Sequence, residues 1–139
     1  MMDGNDNIRI MLVEDEAITA MDIQRMLEKI GYNVSVTIAT GEDSVNMVKS
    51  VNPHLILMDI MLSNTMDGIQ ASELILGQID VPIVYLTAST DPGTIKRAEK
   101  TKHYGYLMKP IDRINLQTTI STALRRHKLE KERENAGGQ

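Results

Sequence analysis

Short apolar runs alternate along the chain with segments whose apolar residues recur at helical spacing. Continuous or alternating apolar runs predict strands at Ile8–Val13, Val34–Ala39, Leu55–Met58, Ile83–Leu86 and Tyr104–Met108. The first helix carries a stripe of Ala20, Ile23, Leu27 and Ile30 and is stopped by Gly31, a residue that accepts the left-handed conformation of a C-cap. Met47, Val48 and Val51 mark a second helix closed before Pro53, and Ala71, Leu74 and Ile75 mark a third. A fourth, from Pro92 to about Lys100, has only Ile95 and Ala98 as apolar anchors and is expected to be the least firmly packed. The last starts near Asp112, with Ile114, Ile120, Ala123 and Leu124 as its buried side.

Repeated strand-then-helix units predict an α/β architecture, a parallel sheet covered by helices on both faces. Strands buried on both faces read as unbroken apolar runs, whereas edge strands alternate. IMLV, LILM and IVYL are unbroken, Val34, Val36 and Ile38 alternate with Ser35 and Thr37, and YGYLMK mixes Gly, Tyr and Lys. Strands two and five therefore belong at the edges. The flavodoxin-like (βα)5 doubly wound order 2-1-3-4-5 meets that requirement, and its crevice lies beyond the carboxyl ends of strands one and three.

Composition narrows the chemistry. The 139 residues fit one domain, and no apolar run approaches the ~18 residues of a membrane span. The start, MMDGNDN, lacks a basic region and an apolar core, so no secretory signal is read and a cytoplasmic location is expected. The absence of cysteine excludes thiolate nucleophiles and thiolate metal sites, and His54, His103 and His127 lack ligand spacing. Any metal must be held by oxygen. A net charge of −4 argues against nucleic-acid binding, since the basic run Arg125–Lys128 is followed at once by Glu130, Glu132 and Glu134. The ten methionines do not cluster and read as core filling. The expected organisation is a disordered tail over 1–7, a domain over 8–126, and a charged helical extension or linker over 127–139.

Within HLILMDIML a single carboxylate, Asp59, stands where a buried strand ends. Glu14 and Asp15 follow strand one, Thr87 ends strand four, and Lys109 follows strand five. Parallel strands bring these ends together. Like charges 4 Å apart repel by roughly 4 kcal/mol at an effective dielectric of about 20, so three carboxylates in one crevice call for a cation. Hard oxygen donors suit magnesium, and the fixed charge of Lys109 supplies further balance. A carboxylate between such cations is suited to accept a phosphoryl group.

These residues resemble the receiver domain of two-component response regulators, over nearly the whole chain. The resemblance rests on MLVEDE, LILMDIML, MDG at Met66–Gly68, YLTA with Thr87, and GYLMKP with Lys109 and Pro110, in that order and spacing. It implies that Asp59 is the phosphorylated aspartate, that Glu14 and Asp15 bind magnesium with it, and that Met61 adds a backbone carbonyl. It further implies that Thr87 closes on the phosphoryl group, Lys109 pairs with it, Tyr106 changes rotamer, and the Lys109–Pro110 peptide is cis. Implied partners are a sensor histidine kinase or phosphotransfer domain and a downstream output domain or protein, with a homodimer through the face of helix four, strand five and helix five as a further possibility. The implied role is regulatory rather than enzymatic. IMLSNT, between Asp59 and Met66, is one residue longer than the family's usual loop and lacks its proline.

Blander readings exist for each residue: Asp59 as a turn cap, Glu14 and Asp15 as helix-dipole charges, Lys109 and Tyr106 as ordinary edge-strand residues. An aspartyl phosphatase would also attack with a strand-end aspartate under magnesium, but Met61 stands where its second Asp belongs. A nucleotide-binding domain would need a Gly-rich phosphate loop, which the sequence does not contain. After Leu124 no DNA-binding or effector pattern is read, which leaves a single-domain regulator or a receiver cut from a longer protein.

Overall fold

The computed structural model describes residues 7–63, 65–88 and 91–137. Its elements run β1 (Arg9–Val13), α1 (Ala17–Ile30), β2 (Asn33–Ile38), α2 (Gly41–Val51), β3 (Leu55–Asp59), α3 (Gly68–Leu76), β4 (Ile83–Thr87), α4 (Pro92–Glu99), β5 (Tyr106–Met108) and α5 (Arg113–Gly137). The strands form one sheet in the order β2-β1-β3-β4-β5, every pair parallel. The expected flavodoxin-like topology is the one observed. The tail expected over 1–7 falls mostly on residues outside the described ones, as does Asn64 of the long loop.

Two apolar layers hold the sheet, and the strand period of two sorts residues between them. Ile10, Leu12, Leu55, Leu57, Val84, Leu86 and Leu107 face α1 and α5, meeting Ala20, Ile23, Leu27, Leu116, Ile120 and Ala123. Met11, Val13, Ile56, Met58, Ile83 and Tyr85 face the opposite layer, meeting Val48, Ile69, Ala71, Ile75 and Ala98. All of β3 and β4 is buried, whereas β2 alternates exposed Asn33, Ser35 and Thr37 with half-buried Val34 and Val36. Each fully buried aliphatic side chain contributes about 1.5–3 kcal/mol before conformational entropy is set against it.

Helix periodicity corrects several expected core positions. Met47, Leu74 and Ile114 are 38%, 50% and 75% exposed, although each was expected on a buried stripe. Each stands one or two residues from the residue that is buried, and at ~100° per residue that turns it off the inward face. Gly41, Ser44 and Val48 are the buried residues of α2, Gly68, Ile69, Ala71, Ser72 and Ile75 line α3, and Leu116, Ile120 and Ala123 line α5. In α4 only Ala98 is buried, and Ile95 is 37% exposed. The fifth strand begins at Tyr106 rather than Tyr104, although Tyr104 N–H still donates to Ile83 O at 2.8 Å and Gly105 O accepts from Tyr85 N–H at 3.0 Å.

The caps agree with local chemistry. Thr40 accepts from Asp43 N–H at the start of α2, and Asp91 from Thr94 N–H at the start of α4. Asp67 and Gln70 form a reciprocal capping box on α3, and Gly31 closes α1 at φ 111°. Among the described residues, no helix is long and apolar enough to cross a membrane.

Candidate functional site

Hydrogen bonds past the strand ends extend the sheet into the crevice. Glu14 N–H donates to Ile38 O (2.9 Å), Ile60 N–H to Leu86 O (3.0 Å) and Lys109 N–H to Thr87 O (2.9 Å). Glu14, Asp59, Thr87 and Lys109 are thus carried on paired backbone, not on free loops. The carboxylates of Glu14, Asp15 and Asp59 each offer an oxygen within 4.8 Å of the others. Lys109 Nζ reaches into the group, 3.0 Å from Asp59 Oδ2 and 2.6 Å from Glu14 Oε1.

Asp59 is 2% exposed, so its charge requires partners. Lys109 supplies one, and Met61 N–H donates to Asp59 Oδ1 at 3.0 Å. Glu14, also 2% exposed, has its carboxyl pushed up to about 7, chiefly by burial, with Lys109 opposing and the neighbouring Asp59 adding to the rise. Its Oε2 accepts from Glu16 N–H at 3.1 Å, at the amino end of α1, where the helix dipole favours negative charge. Burial alone would lower the Lys109 ammonium, yet its bonds to Glu14 and Asp59 carry it above the ordinary lysine value. Burial would raise Asp15 as well, but Ser63 donates to Asp15 Oδ2 from its hydroxyl (2.7 Å) and amide (3.1 Å) and brings it below the usual range.

Thr87, 4% exposed, ends β4 beside Asp59 on β3, whose register partner is Leu86. Tyr106 packs its ring 4.6 Å from His103 and 6.1 Å from Tyr85, and its hydroxyl is buried with no hydrogen bond among the described residues. Met61 is 57% exposed, and its contact with the site is the backbone N–H on Asp59. The Lys109–Pro110 peptide is cis.

Two contributors were not read from the sequence. Ser63 comes from the extended loop, and no motif marks it. Gly68 belongs to the quoted MDG, but its reason is steric: a Cβ there would stand 2.0 Å from Asp59 O and 2.9 Å from Ile60 Cα. Gly68 N–H also donates to Ile60 O at 2.9 Å, so the start of α3 lies directly on the backbone that carries Asp59.

The donor set fits a divalent hard cation. Three carboxylates converge, and Glu14 Oε1 is buried without an aligned hydrogen-bond donor, its 2.6 Å contact with Lys109 being an ion pair of poor hydrogen-bond geometry. An acidic cluster of this kind with no His or Cys suits magnesium.

Known proteins share this fold. The family profile described as the response regulator receiver domain matches residues 10–121. The chain belongs to the response regulator receiver domain family. It is 32% identical over 118 residues to the transcriptional regulatory protein PdtaR of Mycobacterium tuberculosis, covering 85% of this chain and 57% of that protein. It is 32% identical over 116 residues to the phyllosphere-induced regulator PhyR of Methylorubrum extorquens, covering 83% and 43%. The receiver domain thus spans about half the length of these curated relatives. Among solved structures, the signal receiver domain of a modulated diguanylate cyclase from Desulfovibrio desulfuricans superposes with a TM-score of 0.84 at 32% identity, covering 88% of this chain and 97% of that one. The receiver domain of a sensor histidine kinase from Pseudomonas aeruginosa, solved with magnesium coordinated in its active-site cleft, superposes with a TM-score of 0.77 at 32% identity, covering 84% and 97%. The family is regulatory and works in two-component systems, and the acidic cluster of this member is consistent with a magnesium site.

Proposed function

We propose that this receiver domain takes a phosphoryl group on Asp59 from a phosphohistidine of a sensor histidine kinase or phosphotransfer domain, and that the resulting state alters the surface of α4, β5 and α5. The observation that carries the reading is the convergence of Glu14, Asp15 and Asp59 on Lys109 at the carboxyl end of the sheet. An Asp59 carboxylate oxygen forms the new O–P bond, the donor's N–P bond breaks, and the imidazole leaves with the electron pair and takes up a proton. The Met61 amide and Lys109 hold Asp59 in one orientation. Lys109 remains beside the oxygens that bring in negative charge, and the Thr87 hydroxyl donates to one of them. Magnesium bound by Glu14, Asp15, Asp59 and the Met61 carbonyl would neutralise charge on the transferring group.

The change then passes from Thr87 to Tyr106, whose ring packs against His103 on the segment that joins α4 to β5. Moving a two-state equilibrium from 1:99 to 99:1 takes about 5.5 kcal/mol, within reach of a few charge-assisted bonds. The weak burial of α4 suits an element held near balance. Downstream, the same face engages an output domain, a partner protein or a second copy. A cytoplasmic setting follows from the kinase partner. The aspartyl phosphatase alternative is disfavoured, because the exposed thioether of Met61 supplies no general acid.

The test is incubation with acetyl phosphate or beryllofluoride plus magnesium, followed by intact mass or 19F NMR. Wild type should form one adduct and Asp59→Asn none. A stable adduct on Asp59→Asn would sink the assignment. Thr87→Ala should still accept the group but show a weaker NMR response at α4 and Tyr106; a full response would remove Thr87 from the route.

A further inference from the structure

The second half of α5 is helical without an apolar reason to be. Ala123 is its last buried residue, yet the helix runs to Gly137, and beyond Leu124 the only large apolar side chain is Leu129, 51% exposed. These turns propagate from a packed helix but bury no apolar face of their own, so side-chain contacts decide how firmly they are held. Polar contacts dock them. His127 Nε2 lies 2.9 Å from Asp80 Oδ1, and Lys131 Nζ lies 3.3 Å from Asp80 Oδ2, on the loop before β4. Tyr104 donates its hydroxyl to Glu130 Oε2 at 2.5 Å. Arg126 lies 5.2 Å over the Tyr104 ring, and the His127 ring meets its edge at 5.7 Å. The inward face that is apolar at Leu116, Ile120 and Ala123 continues as His127 and Glu130 at the same spacing.

Tyr104 also belongs to the segment that carries Tyr106. In a regular strand the two would share a face. Here Tyr104 sits in the layer of α1 and α5, and Tyr106 in the layer of α4. Gly105 makes the reversal, at φ 158° and with Thr119 Cγ2 of α5 only 3.0 Å from where a Cβ would stand. Tyr104 is 5% exposed and its backbone is bonded to β4, so one tightly packed glycine joins Tyr106 to the residue that grips α5.

We infer that His127–Gly137 is an arm clasped by Tyr104 and Asp80, and that the state of Tyr106 sets how tightly it is held. The coupling half of this inference rests on the phosphoacceptor reading; the clasp does not. The test is hydrogen exchange by mass spectrometry on the full chain. Without any phosphoryl mimic, Tyr104→Phe and Asp80→Asn should each speed exchange over 127–137 by about five-fold, the effect of one lost hydrogen bond, while the amides of β3 and β4 stay protected. Tyr104→Phe keeps the ring, so the core packing survives. Unchanged exchange in the double variant overturns the clasp. With magnesium and beryllofluoride, wild type should change exchange over the same residues, and Tyr104→Phe should not. If 19F NMR confirms the adduct and exchange over 127–137 is unaltered, the coupling is overturned. If no adduct forms, the phosphoacceptor reading falls and the coupling with it, and the two variants still decide the clasp.

Discussion

Gly68 shows how much of this site rests on a residue with no chemistry of its own. Its missing side chain lets α3 begin on the backbone of Asp59 and Ile60, where a Cβ would overlap the Asp59 carbonyl oxygen at 2.0 Å. Backbone cannot give way as a flexible side chain can. Gly68→Ala should therefore cost about 1–3 kcal/mol, the usual range for overpacking, and should also tilt Asp59 away from Lys109. Chemical denaturation measures the first effect, and the rate of phosphorylation by acetyl phosphate the second. A variant of wild-type stability and rate would mean that the loop absorbs the methyl group. Asp59, Glu14, Asp15, Thr87 and Lys109 were legible in the sequence because each sits at a strand end, and parallel topology fixes where such ends meet. Ser63 was not legible. Its contact with Asp15 spans 48 residues and depends on the path of a loop that no pattern specifies.

At the scale of elements, strand patterns gave the sheet order because burial on both faces writes itself as an unbroken apolar run. Helix faces were less legible: Ile114, Met47 and Leu74 are apolar but turned outward, and the buried Ser44 and Ser72 are polar. For α4, sparse apolar content correctly indicated weak burial, but not what holds its carboxyl end. Thr101 hydroxyl donates to Ala98 O at 2.7 Å, so the 2.7 Å bond between Thr101 and Tyr85 has the tyrosine as donor. Tyr85→Phe should cost about 1 kcal/mol and accelerate exchange in α4 by about five-fold, with β4 unaffected. Equal exchange in the two proteins would show that the bond does not anchor α4.

The arm of α5 gives a pH prediction. The bond from His127, chiefly, and then Lys131 hold the Asp80 carboxyl below its ordinary value, while His54 and Lys128 line the same hollow. An acid whose folded-state value is depressed contributes stability that is present above its unfolded value and lost as pH falls through the folded one. NMR should accordingly show the amides of 127–137 losing helical shifts below about pH 4, the ordinary carboxylate value, and Asp80→Asn should flatten that dependence. A pH response that Asp80→Asn leaves intact would assign it to other carboxylates.

For the whole molecule, the balance at the crevice links metal binding to stability. The chain carries a net charge of −4, and three of its carboxylates converge where, among the described residues, Lys109 is the one cation paired with them. A cation that binds the folded state alone stabilises it by about 2.7 kcal/mol at one hundred times its dissociation constant. For a domain of this size that corresponds to roughly 5–10 °C in melting temperature. Magnesium should thus raise the wild-type melting temperature, and a chelator should reverse the rise. Glu14→Gln removes one ligand charge and one source of repulsion together, at the carboxyl that burial and Asp59 push up to about 7. In the metal-free state its melting temperature should match or exceed that of wild type, while its response to magnesium should fall to less than half. The two effects move in opposite directions, so a general loss of structure cannot imitate them. If magnesium stabilises Glu14→Gln and Asp59→Asn as much as wild type, the ion is bound elsewhere and the crevice is not its site.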